Sequence, residues 1–181
     1  MNERFVPTAE GLVAFAKEKL HTPNIYLWDG VGEYLTDDVL DRLIAADPVW
    51  YTPERIAVRR ALVNSGIRGW DCIGLIIGYK WGDYHQGKPA CRVKGEHWST
   101  AQLIEMAGLV KGSIDTLPER PGLVLFKKGH VGVYIGGGRV IECTNRDPET
   151  GQLGAGGGIV ETALSDVPWT HWLEFPGICY E

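Results

Sequence analysis

The sequence predicts an α+β fold, with helices in its first half packed on an antiparallel sheet supplied by its second. Up to about position 107, apolar residues recur at helical spacing behind Ser and Thr caps. Beyond position 120 they fall into short β-branched and aromatic runs with glycine turns between them. At 181 residues, with neither an internal repeat nor a Pro/Ser-rich linker, the chain reads as one domain, 1–181.

Thr8 caps a helix that carries Leu12, Val13, Phe15, Ala16 and Leu20 and ends before Pro23. Thr36 caps a second, with Val39, Leu40, Leu43 and Ile44 at helical spacing and Pro48 beyond it. Thr52 followed by Pro53 opens a third, with Gly66 past its end. The run from Asp71 to Tyr79 is nearly all apolar and predicts a buried central helix starting at Cys72. Ser99 and Gln102 make a capping box for a short helix, Leu103 to Ala107, closed by Gly108. Strands follow at Leu123–Phe126, Val131–Ile135 and Val140–Cys143, the last two joined by the turn Gly136-Gly137-Gly138-Arg139. Two more are expected at Ile159–Thr162 and Trp169–Phe175, and the polar, glycine-rich stretch 147–158 is expected to be a mobile loop.

Composition narrows the function classes. With 44% hydrophobic and 23% charged residues the chain is neither disordered nor fibrous. No run of 18 apolar residues is present, which gives no membrane span. A net charge of -5 argues against nucleic acid as a partner. Cys72, Cys91, Cys143 and Cys179 are spaced too widely for a zinc motif. The first residues lack the apolar core of a secretion signal, so the expectation is synthesis in the cytoplasm with free thiols. Access to an extracellular substrate would then require lysis or non-standard export.

A reactive thiol needs a base and a group that orients the base. Cys72 sits where a helix begins, a position whose free N–H groups and dipole lower a thiol pKa. A buried, inert cysteine would look the same. Among the five histidines, His130 opens a strand 58 positions after Cys72, and Glu142 follows 12 positions later on the next strand. A short turn can bring 130 and 142 across from each other. If Glu142 instead faced solvent, Thr144 would be the next residue on the same face.

Asp71-Cys72-Ile73-Gly74-Leu75 resembles the D-C-S-G-L signature of the NlpC/P60 cysteine peptidases. Pro121 to Phe126 and Gly129 to Gly136 are similar to that family's G-D-L-V-F-F and G-H-V-G-I-Y-I-G blocks. Ile25-Tyr26-Leu27-Trp28-Asp29-Gly30 resembles its upstream Y-x-W-G-G element, and Trp169-Thr170-His171-Trp172 resembles the tail of a clostridial, prophage-linked branch. The resemblance implies a papain-like core, with helices on a central antiparallel sheet, and a helical insertion at 35–66 before the nucleophile helix. It implies hydrolysis of the γ-D-glutamyl–diamino acid bond in peptidoglycan stem peptides or muropeptides. Cys72 aligns with the nucleophile, His130 with the base and Glu142 with the third catalytic position; Tyr26, Asp71 and Trp28 align with substrate-binding positions. It implies no metal and no organic cofactor. Ile73 in place of serine and Asp29 in place of glycine depart from the pattern. An acyltransferase or amidase on the same Cys/His scaffold, and a catalytically silent muropeptide-binding module, are the competing readings.

Other signals read as structural. Gly154-Ala155-Gly156-Gly157-Gly158 lacks the Lys-Ser/Thr of a phosphate loop. Asp37, Asp38 and Asp41 suit a helix start and a solvated face better than a cation site. Lys127-Lys128 reads as a solvated turn, His171 as structural, and Trp28, Trp70, Trp81 and Trp98 chiefly as core, with sugar or peptide stacking as the lesser role.

Overall fold

In the computed structural model, residues 5–85, 88–89, 95–146 and 153–180 are described. The helices are α1 (Ala9–Leu20), α2 (Asp37–Ala46), α3 (Pro53–Arg60), α4 (Gly74–Lys80) and α5 (Thr100–Ile104). Thr8, Thr36 and Thr52 cap the first three as expected, their hydroxyls accepting from Gly11, Val39 and Arg55 N–H. The Ser99–Gln102 capping box opens α5, which begins and ends earlier than the apolar pattern suggested.

The first half also contains strands that the helical reading overlooked. β1 (Asn24–Tyr26), β2 (Val31–Tyr34) and β3 (Arg68–Trp70) form a small sheet in the order β1-β3-β2, with β1 parallel to β3. Such short strands, nearly continuous in burial, carry no alternation to detect. A two-residue pair, β4 (Tyr84–His85) and β5 (Lys88–Pro89), follows α4.

The large sheet runs β10-β9-β8-β7-β11-β6 and is antiparallel throughout. Its strands are β6 (Lys111–Ser113), β7 (Val124–Lys127), β8 (His130–Gly136), β9 (Arg139–Arg146), β10 (Leu153–Ala163) and β11 (His171–Leu173). The glycine run expected as a mobile loop lies instead in β10, which is bulged between Leu153 and Gly158; residues 147–152 lie outside those described. Gly157 takes φ 93°, a conformation that needs glycine, where β10 crowds against the Thr144 carbonyl.

The main core lies between α1, α4 and the sheet: Leu12, Phe15, Trp70, Ile76, Ile77, Val131, Val133 and Ile141 are all buried there. Trp70 and Trp81 are core residues, as expected. Segment 35–66 forms α2 and α3 around a second cluster built on Ile25, Leu27, Leu35, Leu40, Leu43 and Tyr51. Fully buried Arg59 ties this cluster to β1, its guanidinium donating twice to the Tyr26 carbonyl at 2.7 and 3.1 Å. Asp37 and Asp41 pair with Arg60, and no metal-ligating cluster occurs among the described residues. No helix among them is long and apolar enough to cross a membrane.

Candidate active site

His130 and Glu142 meet on the large sheet. The β8–β9 ladder pairs Val133 with Ile141, and the same register carried one step on sets residue 132 opposite 142. His130 and Glu142 are therefore diagonal neighbours on one face rather than directly opposite, within reach of two long side chains. His130 Nε2 and Glu142 Oε2 are hydrogen-bonded. Glu142 is buried, 4% exposed, and its other oxygen accepts from Thr162 Oγ1 at 2.8 Å. The solvent-facing alternative for Glu142 does not hold. The imidazole stacks on Trp169, ring centres 5.6 Å apart and planes 14° from parallel. With Nε2 engaged and the ring plane fixed, Nδ1 is the nitrogen left to receive a proton.

Thr162 and Trp169 were not singled out as partners of the site by sequence. Both lie on segments expected as strands, yet only the register of β9 against β10, and the chain path before β11, bring them to His130 and Glu142.

Cys72 occupies the turn between β3 and α4. Asp71 builds this turn: its Oδ1 accepts from Gly74 N–H at 2.5 Å and its Oδ2 from Asp29 N–H at 3.0 Å. Gly74 packs so closely on the Gly30 carbonyl that a Cβ has no room, which locks the helix start to the β1–β2 turn. Asp29 itself holds φ 66°, the left-handed conformation that glycine would favour.

The electrostatics of the thiol differ from the expectation of a lowered pKa. Burial, and then the neighbouring Asp71 carboxylate, push Cys72 up to about 12, while backbone N–H groups of Val131, Ile73 and Cys72 pull the other way. The physical reason is local: α4 begins two residues after Cys72, and Asp71 takes the Gly74 N–H. Desolvation then exceeds what the remaining N–H groups contribute. Asp71 is likewise pushed up to about 7, chiefly by burial, against the two N–H groups that it accepts. The Tyr26 phenol is raised above its ordinary range by burial and by Asp71 and Cys72, and stays protonated as a donor.

Two clefts meet at this site and share Gly129. One, of about 1070 Å³, is lined by Tyr26, Lys127, His130, Glu142, Thr144 and Arg146 among others. The second, of about 320 Å³, is lined by Cys72, Asp71, Trp28, Asp29, His97 and Trp98 among others. The Val131 N–H directed at the Cys72 sulfur places the thiol beside the strand that His130 opens. Of the six candidate residues, Tyr26, His130 and Glu142 line the first cleft, and Cys72, Asp71 and Trp28 line the second. His97 joins them unannounced: its Nε2 lies 3.3 Å from Asp29 Oδ1, on the wall of the Cys72 cleft. Of the other cysteines, Cys143 is buried and donates to the Trp70 carbonyl at 3.2 Å, Cys179 is exposed, and Cys91 lies outside the described residues. His171 sits apart, its Nδ1 3.0 Å from Thr170 Oγ1.

No protein-family model matches the chain, and no curated protein matches it. Among solved structures, the crystal structure of the NlpC/p60 domain of peptidoglycan hydrolase SagA is similar at 17% identity and a TM-score of 0.45, covering 93% of this chain and 99% of that one.

Proposed function

We propose that this protein is a papain-like cysteine peptidase of the NlpC/P60 kind, hydrolysing the γ-D-glutamyl–diamino acid bond of peptidoglycan stem peptides. The observation that carries the reading is the oriented imidazole: His130 is held by buried Glu142 and by Trp169, beside the strand residue whose N–H faces the Cys72 sulfur. Together with the D-C-x-G and G-H-V-G motifs at those two residues, it supports a nucleophile, a base and an orienting carboxylate.

Because the thiol is raised to about 12, it is protonated at rest. His130 Nδ1 takes the proton as the sulfur attacks the γ-glutamyl carbonyl, and Glu142 stabilises the imidazolium. The Cys72 and Ile73 N–H groups and the Tyr26 hydroxyl are the donors assigned to the developing oxyanion. The tetrahedral intermediate collapses with C–N cleavage, and the amine leaves with the proton from His130. Water, deprotonated by His130, then hydrolyses the thioester. Asp71 acts by holding the Asp29 turn and the α4 start in place, and Trp28 forms the outer wall of the cleft. No step requires a metal or an organic cofactor.

The raised thiol also favours one second reading, a module that binds muropeptides without cleaving them. Mass spectrometry of defined tri- and tetrapeptide muropeptides after incubation separates the two. Release of the diamino acid from the tripeptide form, or of the diamino acid with its following residue from the tetrapeptide form, leaving a glycan-linked dipeptide that ends in glutamate, supports the peptidase, and intact substrate at high protein concentration rejects it.

A further inference from the structure

The Cys72 cleft carries an aromatic surface that the peptide chemistry leaves unused. Trp28 is 42% exposed, and its indole stacks on Trp50 with ring centres 6.1 Å apart and planes 21° from parallel. One face of this indole is covered by Trp50, and the Trp28 backbone beneath it is held in place. Its carbonyl accepts from the Tyr51 hydroxyl at 2.9 Å, and the next N–H, of Asp29, donates to Asp71. Trp50 is braced in turn by the rings of Tyr26 and Tyr51 and by the guanidinium carbons of Arg55 and Arg59, 4.6 and 4.8 Å from its ring centre. A rigid aromatic surface loses little entropy when a ligand settles on it.

The groups around this surface form hydrogen bonds. Asp29, His97, Ser99, Thr100 and Gln102 line the same cleft, and the Asp29 side chain is 47% exposed. An apolar side chain placed there would strip water from these groups without replacing it. A pyranose ring suits both surfaces, with its C–H face on the indole and its rim of hydroxyls toward carboxylate, imidazole and amide.

We propose that Trp28, backed by Trp50, forms a saccharide subsite for an N-acetylhexosamine ring of the glycan that bears the stem peptide. This rests on the peptidase reading, since stem peptides join the glycan by their amino end. Two extended residues span about 7 Å between the sugar and the bond to be cut. Trp28 and Cys72 line the same cleft and are tied together through the Asp29 N–H bond to Asp71. Trp50 belongs to segment 35–66, so the two additional helices shape specificity: glycan-linked stem peptides, not free ones, are the preferred substrate.

The test is titration of peptide-free N-acetylglucosaminyl-N-acetylmuramic acid into the Cys72→Ala protein, followed by NMR shifts of the indole N–H signals. It needs no turnover, so its outcome is separate from that of the peptidase reading. Saturable binding that shifts the Trp28 signal is expected, weakened about tenfold by Trp28→Ala and partly restored by Trp28→Tyr. Thermal unfolding of each variant checks that the fold is kept. A second readout is the ratio of kcat/KM for glycan-linked over free tripeptide, expected to fall toward one in Trp28→Ala. No binding at saturating disaccharide overturns the proposal, as does binding that Trp28→Ala leaves unchanged. Equal Trp28 shifts with free stem peptide and with the glycan-linked form overturn it too, and assign the indole pair to the peptide.

Discussion

His130 stands on an antiparallel ladder whose register brings it against Glu142, whereas Cys72 stands on a turn between a three-residue strand and a seven-residue helix. On the ladder, position follows from counting: side chains alternate, strands pair, and a short glycine turn sets which residues share a face. At the turn, position follows from bonds between distant segments. Asp71 joins Asp29, 42 positions away, to Gly74, and Gly30 packs on Gly74. The position of His130 is a product of local regularity, and that of Cys72 a product of tertiary assembly.

The largest expected effect breaks the ladder side. His130→Ala removes the proposed proton acceptor and should lower kcat/KM by a factor of about 10²–10⁴, with unfolding little changed because the ring is partly exposed. Glu142→Gln keeps the shape and loses the charge that supports the imidazolium, so steady-state kinetics should show a smaller fall.

The next effect breaks the turn side through stability. Arg59 is fully buried and holds the Tyr26 carbonyl. Arg59→Ala leaves that carbonyl without its donor and opens a cavity, which should cost about 3 kcal/mol in denaturant unfolding. The same change should slow hydrolysis by loosening Tyr26, a loss that the ladder cannot offset.

Asp71 sharpens the comparison through pH. Its folded pKa, about 7, lies above the ordinary carboxyl value of 3.8. The folded state therefore holds a proton that the unfolded state has released. The stability from this group is full below about pH 4 and is lost as pH rises through 7. Asp71→Asn cannot ionise, so the stability difference between wild type and variant should shift against wild type from pH 5 to pH 8. A difference that is flat with pH would show that Asp71 is already charged at pH 5. The smallest effect belongs to Thr162→Val, which removes one hydrogen bond to Glu142 and should reduce kcat/KM by less than about tenfold.

The same contrast explains what the sequence made legible. The capped helices and the β7–β9 meander carry strong local signals: Thr8, Thr36 and Thr52 before helical spacing, and glycines between β-branched runs. From those, His130 and Glu142 could be set on one face. The small sheet could not be read, because β1 and β3 are three residues long and pair across more than forty positions. Trp169 at His130 and His97 at Asp29 depend on chain paths through loops, where no periodicity operates. The raised thiol at Cys72 was illegible for a related reason: burial and the Asp71 charge are properties of the assembled turn. The helix start alone points the other way.

The central claim is that Cys72 attacks the γ-glutamyl carbonyl. Rapid-quench mass spectrometry of the intact protein mixed with a glycan-linked tripeptide tests it most directly. The account predicts a transient thioester adduct of the acyl half, mapped to Cys72, absent in Cys72→Ala and slow to form in His130→Ala. Continued hydrolysis by Cys72→Ala, with no adduct at any stage in the wild-type protein, would contradict it.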